Sequence, residues 1–150
     1  MRVGEDAPDF TLRDQHGQEQ SLGVRRASCN VLIVFFPFAF TGVCAGELRE
    51  LNRLSQAWDD LATDVLAISC DPLASLRALA DRDALEIPLL SDFWPHGEVA
   101  ARYGAFEPEL GAAGRASFVV DRAGVIRWMT RSTLANARSG QDYLAALAAL

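Results

Sequence analysis

The sequence has no lysine. All 14 basic residues are arginine, scattered except for the adjacent Arg25 and Arg26, against 20 acidic residues, for a net charge of −6. That balance excludes the basic patch that nucleic-acid binding normally requires; the missing lysine reads as genomic base composition. Cysteine is scarce too: Cys29, Cys44 and Cys70 stand far apart without pattern, which fits neither a disulfide framework nor a zinc site and leaves at least one thiol free. There is no glycine-rich phosphate loop and no metal or flavin signature, so no cofactor is expected. Long apolar runs are absent: Val31 to Phe40 is short and interrupted by Pro37, and Met1-Arg2-Val3-Gly4-Glu5-Asp6 lacks the apolar stretch of a signal peptide. A soluble, cytoplasmic protein without a membrane partner is the expectation. With no repeats, linkers or low-complexity tracts, 150 residues at 50% hydrophobic fit one domain spanning 1–150.

Against that background one stretch stands out. Val31-Leu32-Ile33-Val34-Phe35-Phe36 reads as a buried central strand, and Pro37-Phe38-Ala39-Phe40-Thr41-Gly42-Val43-Cys44 closes it and opens a long helical pattern. A cysteine therefore sits at a strand-to-helix junction, where unpaired backbone N–H groups and the positive end of the helix dipole favour a thiolate. Thioredoxin-like redox proteins place a Cys-x-x-Cys pair at such a junction. Here the first of those two positions is Thr41, so an intramolecular disulfide gives way to a hydroxyl beside a single thiol.

The remaining chain alternates. Ala7–Leu12 and Gln18–Leu22 flank a Gln15-His16-Gly17 turn, predicting a short hairpin that covers the main sheet. Leu48, Leu51, Leu54, Trp58 and Leu61 recur at helical steps, predicting one long helix packed on the sheet. Val65-Leu66-Ala67-Ile68 is a second strand, after which Asp71 and Pro72 read as N-cap and first residue of a helix. Ile87–Leu90 predicts a short strand, Ser91–Gly97 an aromatic loop in which His96 is a loop residue, and Val99–Tyr103 a short helix. Gly111–Gly114 reads as a flexible lead into the strand Arg115–Val120, which turns through Asp121–Gly124 into Val125–Trp128. Ser139-Gly140-Gln141-Asp142 resembles a capping box for a final helix. Alternating units followed by a hairpin and a closing helix indicate an α/β protein on a mixed sheet.

Pro37, Thr41 and Cys44, in the arrangement Pro-x-x-x-Thr-x-x-Cys, together with Arg115 opening a late strand, resemble the peroxiredoxins. The likeness runs from Ala7-Pro8-Asp9-Phe10-Thr11-Leu12 to the final helix. Phe35–Leu48 and Ser91–Gly97 are most similar to the alkyl hydroperoxide reductase E type with one reactive cysteine. The resemblance implies a thioredoxin-like fold, a central mixed β-sheet flanked by helices with an N-terminal β-hairpin, and reduction of hydroperoxides. It implies that Cys44 is the nucleophile, that Thr41, Arg115 and the backbone N–H groups of Val43 and Cys44 hold the peroxide oxygens, and that Pro37 shapes the pocket. Glu47, a carboxylate one turn beyond Cys44, should disfavour a thiolate unless paired. The family pattern assigns its charge to Arg115.

The position five past Cys44, where one subgroup carries a resolving cysteine, is Arg49, and no cysteine follows Cys70. Cys29 and Cys70 border strands and read as packing, with Cys70 the better candidate for an exception. The expected reductant is an external thiol, either a small one or a thioredoxin- or mycoredoxin-like protein. Phe38, Phe40, Phe93 and Trp94 in loops flanking the site suggest a homodimer. The alternatives are a thioredoxin-like thiol transferase, against which the missing Cys-x-x-Cys argues, and a peroxide-sensing redox relay.

Overall fold

The computed structural model describes residues 1–150. In chain order the elements are β1 (Thr11–Arg13), β2 (Glu19–Ser21), α1 (Leu22–Arg26), β3 (Asn30–Phe35), α2 (Gly42–Arg53), α3 (Ser55–Asp60), β4 (Thr63–Ser69), α4 (Leu73–Asp83), β5 (Leu89–Ser91), α5 (Glu98–Arg102), β6 (Phe106–Glu107), β7 (Ala112–Ala113), β8 (Arg115–Val120), β9 (Ile126–Ser132) and α6 (Gly140–Ala148). Seven strands form one mixed sheet in the order β2-β1-β5-β4-β3-β8-β9. Strands β3, β4 and β5 run parallel at its centre, and β8 and β9 continue it antiparallel.

The uninterrupted apolar run of β3 follows from its place: a central strand is covered on both faces, so both sets of alternating side chains must be apolar. Leu32, Val34 and Phe36 face a core filled by α2, α3, α4 and α6, among them Cys44, Leu48, Leu51, Trp58, Leu76, Tyr143 and Leu147. Val31, Ile33 and Phe35 face the other core, with Leu22 of α1, Val99 of α5, Tyr103 and Phe118. The thioredoxin-like arrangement read from the sequence is the one observed.

Four local expectations are corrected. The N-terminal hairpin does not cover the sheet; it extends it at the edge, Arg13 pairing with Ser91. The single long helix is broken at Leu54 into α2 and α3. The Trp58 indole N–H donates to the Leu51 carbonyl at 2.8 Å, the acceptor that the N–H of residue 55 would use in an unbroken helix. Ala112–Ala113, read as a flexible lead, pairs with Phe106–Glu107 in a small second sheet. Finally, Asp71 does not cap α4, whose N-cap is Pro72 with no side-chain bond.

Gly97 occupies the left-handed region at φ +70°, and a Cβ there would run into the Phe106 ring; Gly111 shares the conformation at φ +63° but faces open space. Strain alone costs a side chain about 1–2 kcal/mol, and forced overpacking adds about 1–3 kcal/mol. Urea titration should therefore find Gly97→Ala less stable than Gly111→Ala by about 1–3 kcal/mol. Equal losses would mean that β6 yields without cost.

Candidate active site

The site is assembled where β3 ends and α2 begins. Thr41 is the N-cap residue of α2, with extended backbone (φ −99°, ψ 148°), but its side chain makes no capping bond. Its hydroxyl donates instead to the Phe38 carbonyl at 3.0 Å. The N–H groups of Gly42, Val43 and Cys44 precede the first possible acceptor within α2, and none makes a protein hydrogen bond; Ala45 is the first to be satisfied, by the Thr41 carbonyl at 2.9 Å. Three donors thus stay available around a helix end carrying the positive pole of the dipole. Cys44, in that first turn, packs its side chain inward against the sheet and is fully buried, while Phe40, Thr41 and Gly42 are exposed above it. Pro37 is buried just behind them.

Arg115 reaches the same region from the neighbouring strand. The β3–β8 register pairs Val34 with Ser117, and continued by two residues it sets Phe36 beside Arg115. Arg115 and Ser117 share the face of the sheet that α2 covers, since strand side chains alternate. Although only 4% exposed, Arg115 is anchored on two sides: Nε donates to the Leu134 carbonyl at 3.0 Å, and Nη1 donates to Glu47 Oε1 at 2.5 Å. Its Nη2 bonds to no protein group, and since no fully buried side-chain nitrogen or oxygen is left without a partner, that end reaches the surface. Arg115 is also one of the residues lining a cavity of about 350 Å³, with Glu107, Glu109, Thr133 and Leu134.

Glu47 has a second partner that the sequence reading missed. Arg138, between β9 and α6, donates from Nε to Oε2 at 2.9 Å, from Nη2 to Oε1 at 3.0 Å and from its backbone N–H to Oε2 at 2.7 Å. Its Nη1 binds the Ala116 carbonyl and Ser117 Oγ, each at 3.0 Å. Burial pushes the Glu47 carboxyl upward, but hydrogen bonds and charge from Arg138, with Arg115 adding to them, hold it below its ordinary value of 4.5. Two guanidinium groups and one carboxylate leave a net positive charge in the protein interior beside Cys44. The carboxylate one turn beyond Cys44 is thereby paired, as the sequence requires of it. Arg138 lies in no motif; the only signal for it was Glu47 itself, an acid on the apolar face of α2 that requires cations.

Cys70 and Cys29 stand apart from these groups. Burial, then the charges of Asp92 and Asp71, push the Cys70 thiol up to about 12, even though the Ala113 N–H stabilises its anion. Burial and Asp64 raise Cys29. All three cysteines are free. His96 lies with its ring nitrogens toward the Phe93 and Gly111 carbonyls, a loop residue as expected.

Residues 3–129 match the model of the AhpC/TSA family. The chain belongs to that family. It is 45% identical over 150 residues to alkyl hydroperoxide reductase E of Mycobacterium tuberculosis, covering all of this chain and 98% of the relative. The 2-cysteine peroxiredoxin of Chattonella marina is 33% identical over 162 residues, covering all of this chain and 80% of the relative. Among solved structures, peroxidoxin BcpB of Mycobacterium tuberculosis superposes with a TM-score of 0.89 at 29% identity, covering all of this chain and 98% of the other. The protein is a peroxiredoxin, a peroxidase with the thioredoxin-like fold.

In this peroxiredoxin the Glu47 carboxylate contributes stability with a definite pH sign. Its pKa is depressed on folding, so that stability is complete above its ordinary value of 4.5 and is lost as pH falls through the lower folded value. Glu47→Gln strands two buried arginines and should cost about 3–5 kcal/mol at pH 7. Urea titrations should show the gap between variant and wild type narrowing as pH drops below 4.5; a gap independent of pH would contradict the ionised trio.

Proposed function

We propose that the protein reduces hydroperoxides by a one-cysteine mechanism in which Cys44 is the nucleophile. The observation that carries this reading is the first turn of α2, whose three N–H donors stay uncapped around Cys44 beside the positively charged Glu47–Arg115–Arg138 cluster. The thiolate attacks one peroxide oxygen; a sulfur–oxygen bond forms, the O–O bond breaks, and the alkoxide or hydroxide leaves and takes a proton. Negative charge spreads along sulfur and both oxygens in that transition state. Donors fixed beforehand stabilise it without reorganising at the moment of reaction. Thr41 Oγ, its proton committed to the Phe38 carbonyl, has lone pairs free to accept from the hydroperoxide O–H. The Val43 and Cys44 N–H groups and Nη2 of Arg115 hold the oxygens in line. Pro37, lacking an N–H, denies the sulfenic acid a competing amide.

An external thiol then attacks the sulfenic sulfur, water leaves, and a second thiol releases Cys44 from the mixed disulfide. The raised pKa of Cys70 supports this route, because a thiol pushed up to about 12 is a poor internal resolver at neutral pH. The reductant is a small thiol or a thioredoxin- or mycoredoxin-like protein.

Two copies pair through the loops flanking the site. Phe38, Phe40, Phe93 and Trp94 are 40%, 53%, 46% and 83% exposed, large apolar side chains in the two loops on which this pairing would rest. Sedimentation should give a dimer for wild type and a monomer for Trp94→Glu; a dimer unaffected by that change would move the interface elsewhere.

Stopped-flow mixing of the reduced protein with one equivalent of hydroperoxide, followed by tryptophan emission and mass spectrometry, tests the mechanism. Oxidation should be abolished in Cys44→Ser, slowed about 100-fold or more in Arg115→Ala, and unchanged in Cys70→Ser, with a sulfenic acid as product. A Cys44–Cys70 disulfide would replace external with internal resolution. Oxidation no faster than that of free cysteine would remove Cys44 from the mechanism.

A further inference from the structure

One peptide unit links the Thr41 hydroxyl to a carboxylate that has no part in the chemistry above. The N–H of Ala39 donates to Asp71 Oδ2 at 3.0 Å, and the carbonyl of the same peptide, that of Phe38, accepts from Thr41 Oγ1 at 3.0 Å. A trans peptide is planar and its N–H and C=O point in opposite directions. Fixing one edge therefore fixes the other. Asp71 is itself anchored in the sheet: Ser69 Oγ donates to Oδ2 at 2.6 Å, the Asp71 N–H donates to Ser69 Oγ at 3.2 Å, and Ser91 Oγ donates to the Asp71 carbonyl at 2.6 Å. Ser69 is completely buried and pairs with Ser91 in the parallel β4–β5 register.

We propose that Asp71 is a positioning residue for Thr41, acting through the Phe38–Ala39 peptide to aim the Thr41 hydroxyl at the peroxide. The inference rests on the reading of Thr41 as a group that touches the peroxide. A hydroxyl rotor is free to place its hydrogen in any of several directions, and only one that keeps the hydrogen on the backbone leaves the lone pairs turned outward. A carboxylate acceptor on the N–H edge makes a stronger bond than a neutral one and polarises the carbonyl, which strengthens its hold on the Thr41 hydrogen. Where the carboxylate is not used makes the same point. Asp71 stands next to an uncapped helix, α4, yet its side chain turns to the β3–α2 loop and leaves that helix without a side-chain cap. A residue type favoured for capping is committed to holding the loop, the kind of local departure that functional sites display.

The test is a double-mutant cycle on the rate constant for oxidation of Cys44 by hydrogen peroxide, using Asp71→Ala, Thr41→Val and the pair. Each single variant should react about tenfold slower, and the pair no more than about twofold slower than Thr41→Val alone, because groups linked in one hydrogen-bond network are not additive. Asp71→Asn, which keeps an acceptor for the Ala39 N–H without the charge, should fall between wild type and Asp71→Ala, and its Ala39 amide proton should move upfield. If Asp71→Ala does not fold, Asp71→Asn takes its place in the cycle. Multiplicative losses in the double variant, or a wild-type rate in the Asp71 variant, would overturn the positioning role while leaving that of Thr41 standing. An unchanged rate in Thr41→Val would overturn both.

Discussion

The four hydrogen bonds received by the Glu47 carboxylate hold the site together. They join three parts of the chain that share no local structure: Glu47 on α2, Arg115 at the start of β8, and Arg138 ahead of α6. A carboxylate buried this deeply is tolerable only with its charge met and its lone pairs filled, and two guanidinium groups meet it with positive charge to spare. The sheet register then decides where that charge lies, since the pairing of β3 with β8 brings Arg115 to the end of the sheet from which Cys44 emerges. On the proposed mechanism, stability and chemistry rest on the same ion cluster.

Ionisation of the thiol cannot by itself account for a peroxidase. A thiol with an ordinary pKa of about 8.5 is already a few per cent thiolate near neutrality, so complete ionisation gains roughly ten- to thirtyfold, and a lower pKa also lowers nucleophilicity. The structure offers what ionisation does not supply. Thr41 occupies the capping position but gives its hydrogen bond to Phe38, so the helix keeps open the donors that capping would have closed. On the proposed mechanism the charge developing on the peroxide takes the place of that missing cap, and α4 is likewise left without a side-chain cap while Asp71 holds the neighbouring loop.

The sequence made the strand-to-helix junction legible because β3 is apolar on both faces and the helical period begins immediately after it; it pointed to Pro37, Thr41 and Cys44 through a spaced motif, to Arg115 at the opening of a late strand, and to Glu47 as a carboxylate one turn beyond Cys44 that needed a partner. What it could not carry were interactions that break periodicity or join distant loops. The helical pattern runs without a fault through Leu54, and only the Trp58 indole taking the Leu51 carbonyl interrupts it. Asp71-Pro72 has the signature of a helix start, yet the tertiary demand of the Ala39 N–H outweighs the local preference. Arg138 stands in an irregular segment that no period marks, found only once its carboxylate partner is seen to be buried. The small β6–β7 sheet is two residues per strand, below the length at which alternation can be read.

The central claim is that preorganised donors, more than thiol ionisation, accelerate attack on the peroxide. The most direct measurement compares two reactions of the same sulfur, oxidation by hydrogen peroxide and alkylation by iodoacetamide, in wild type and Arg115→Lys across the pH range. Both reactions need the thiolate, but only the first develops charge on an O–O bond for a guanidinium fork to stabilise. Oxidation should fall by about 100-fold or more at pH values where the thiolate is fully formed, while alkylation changes by less than about fivefold. Parallel losses in the two reactions would show that Arg115 serves only to ionise Cys44, and the account would be wrong.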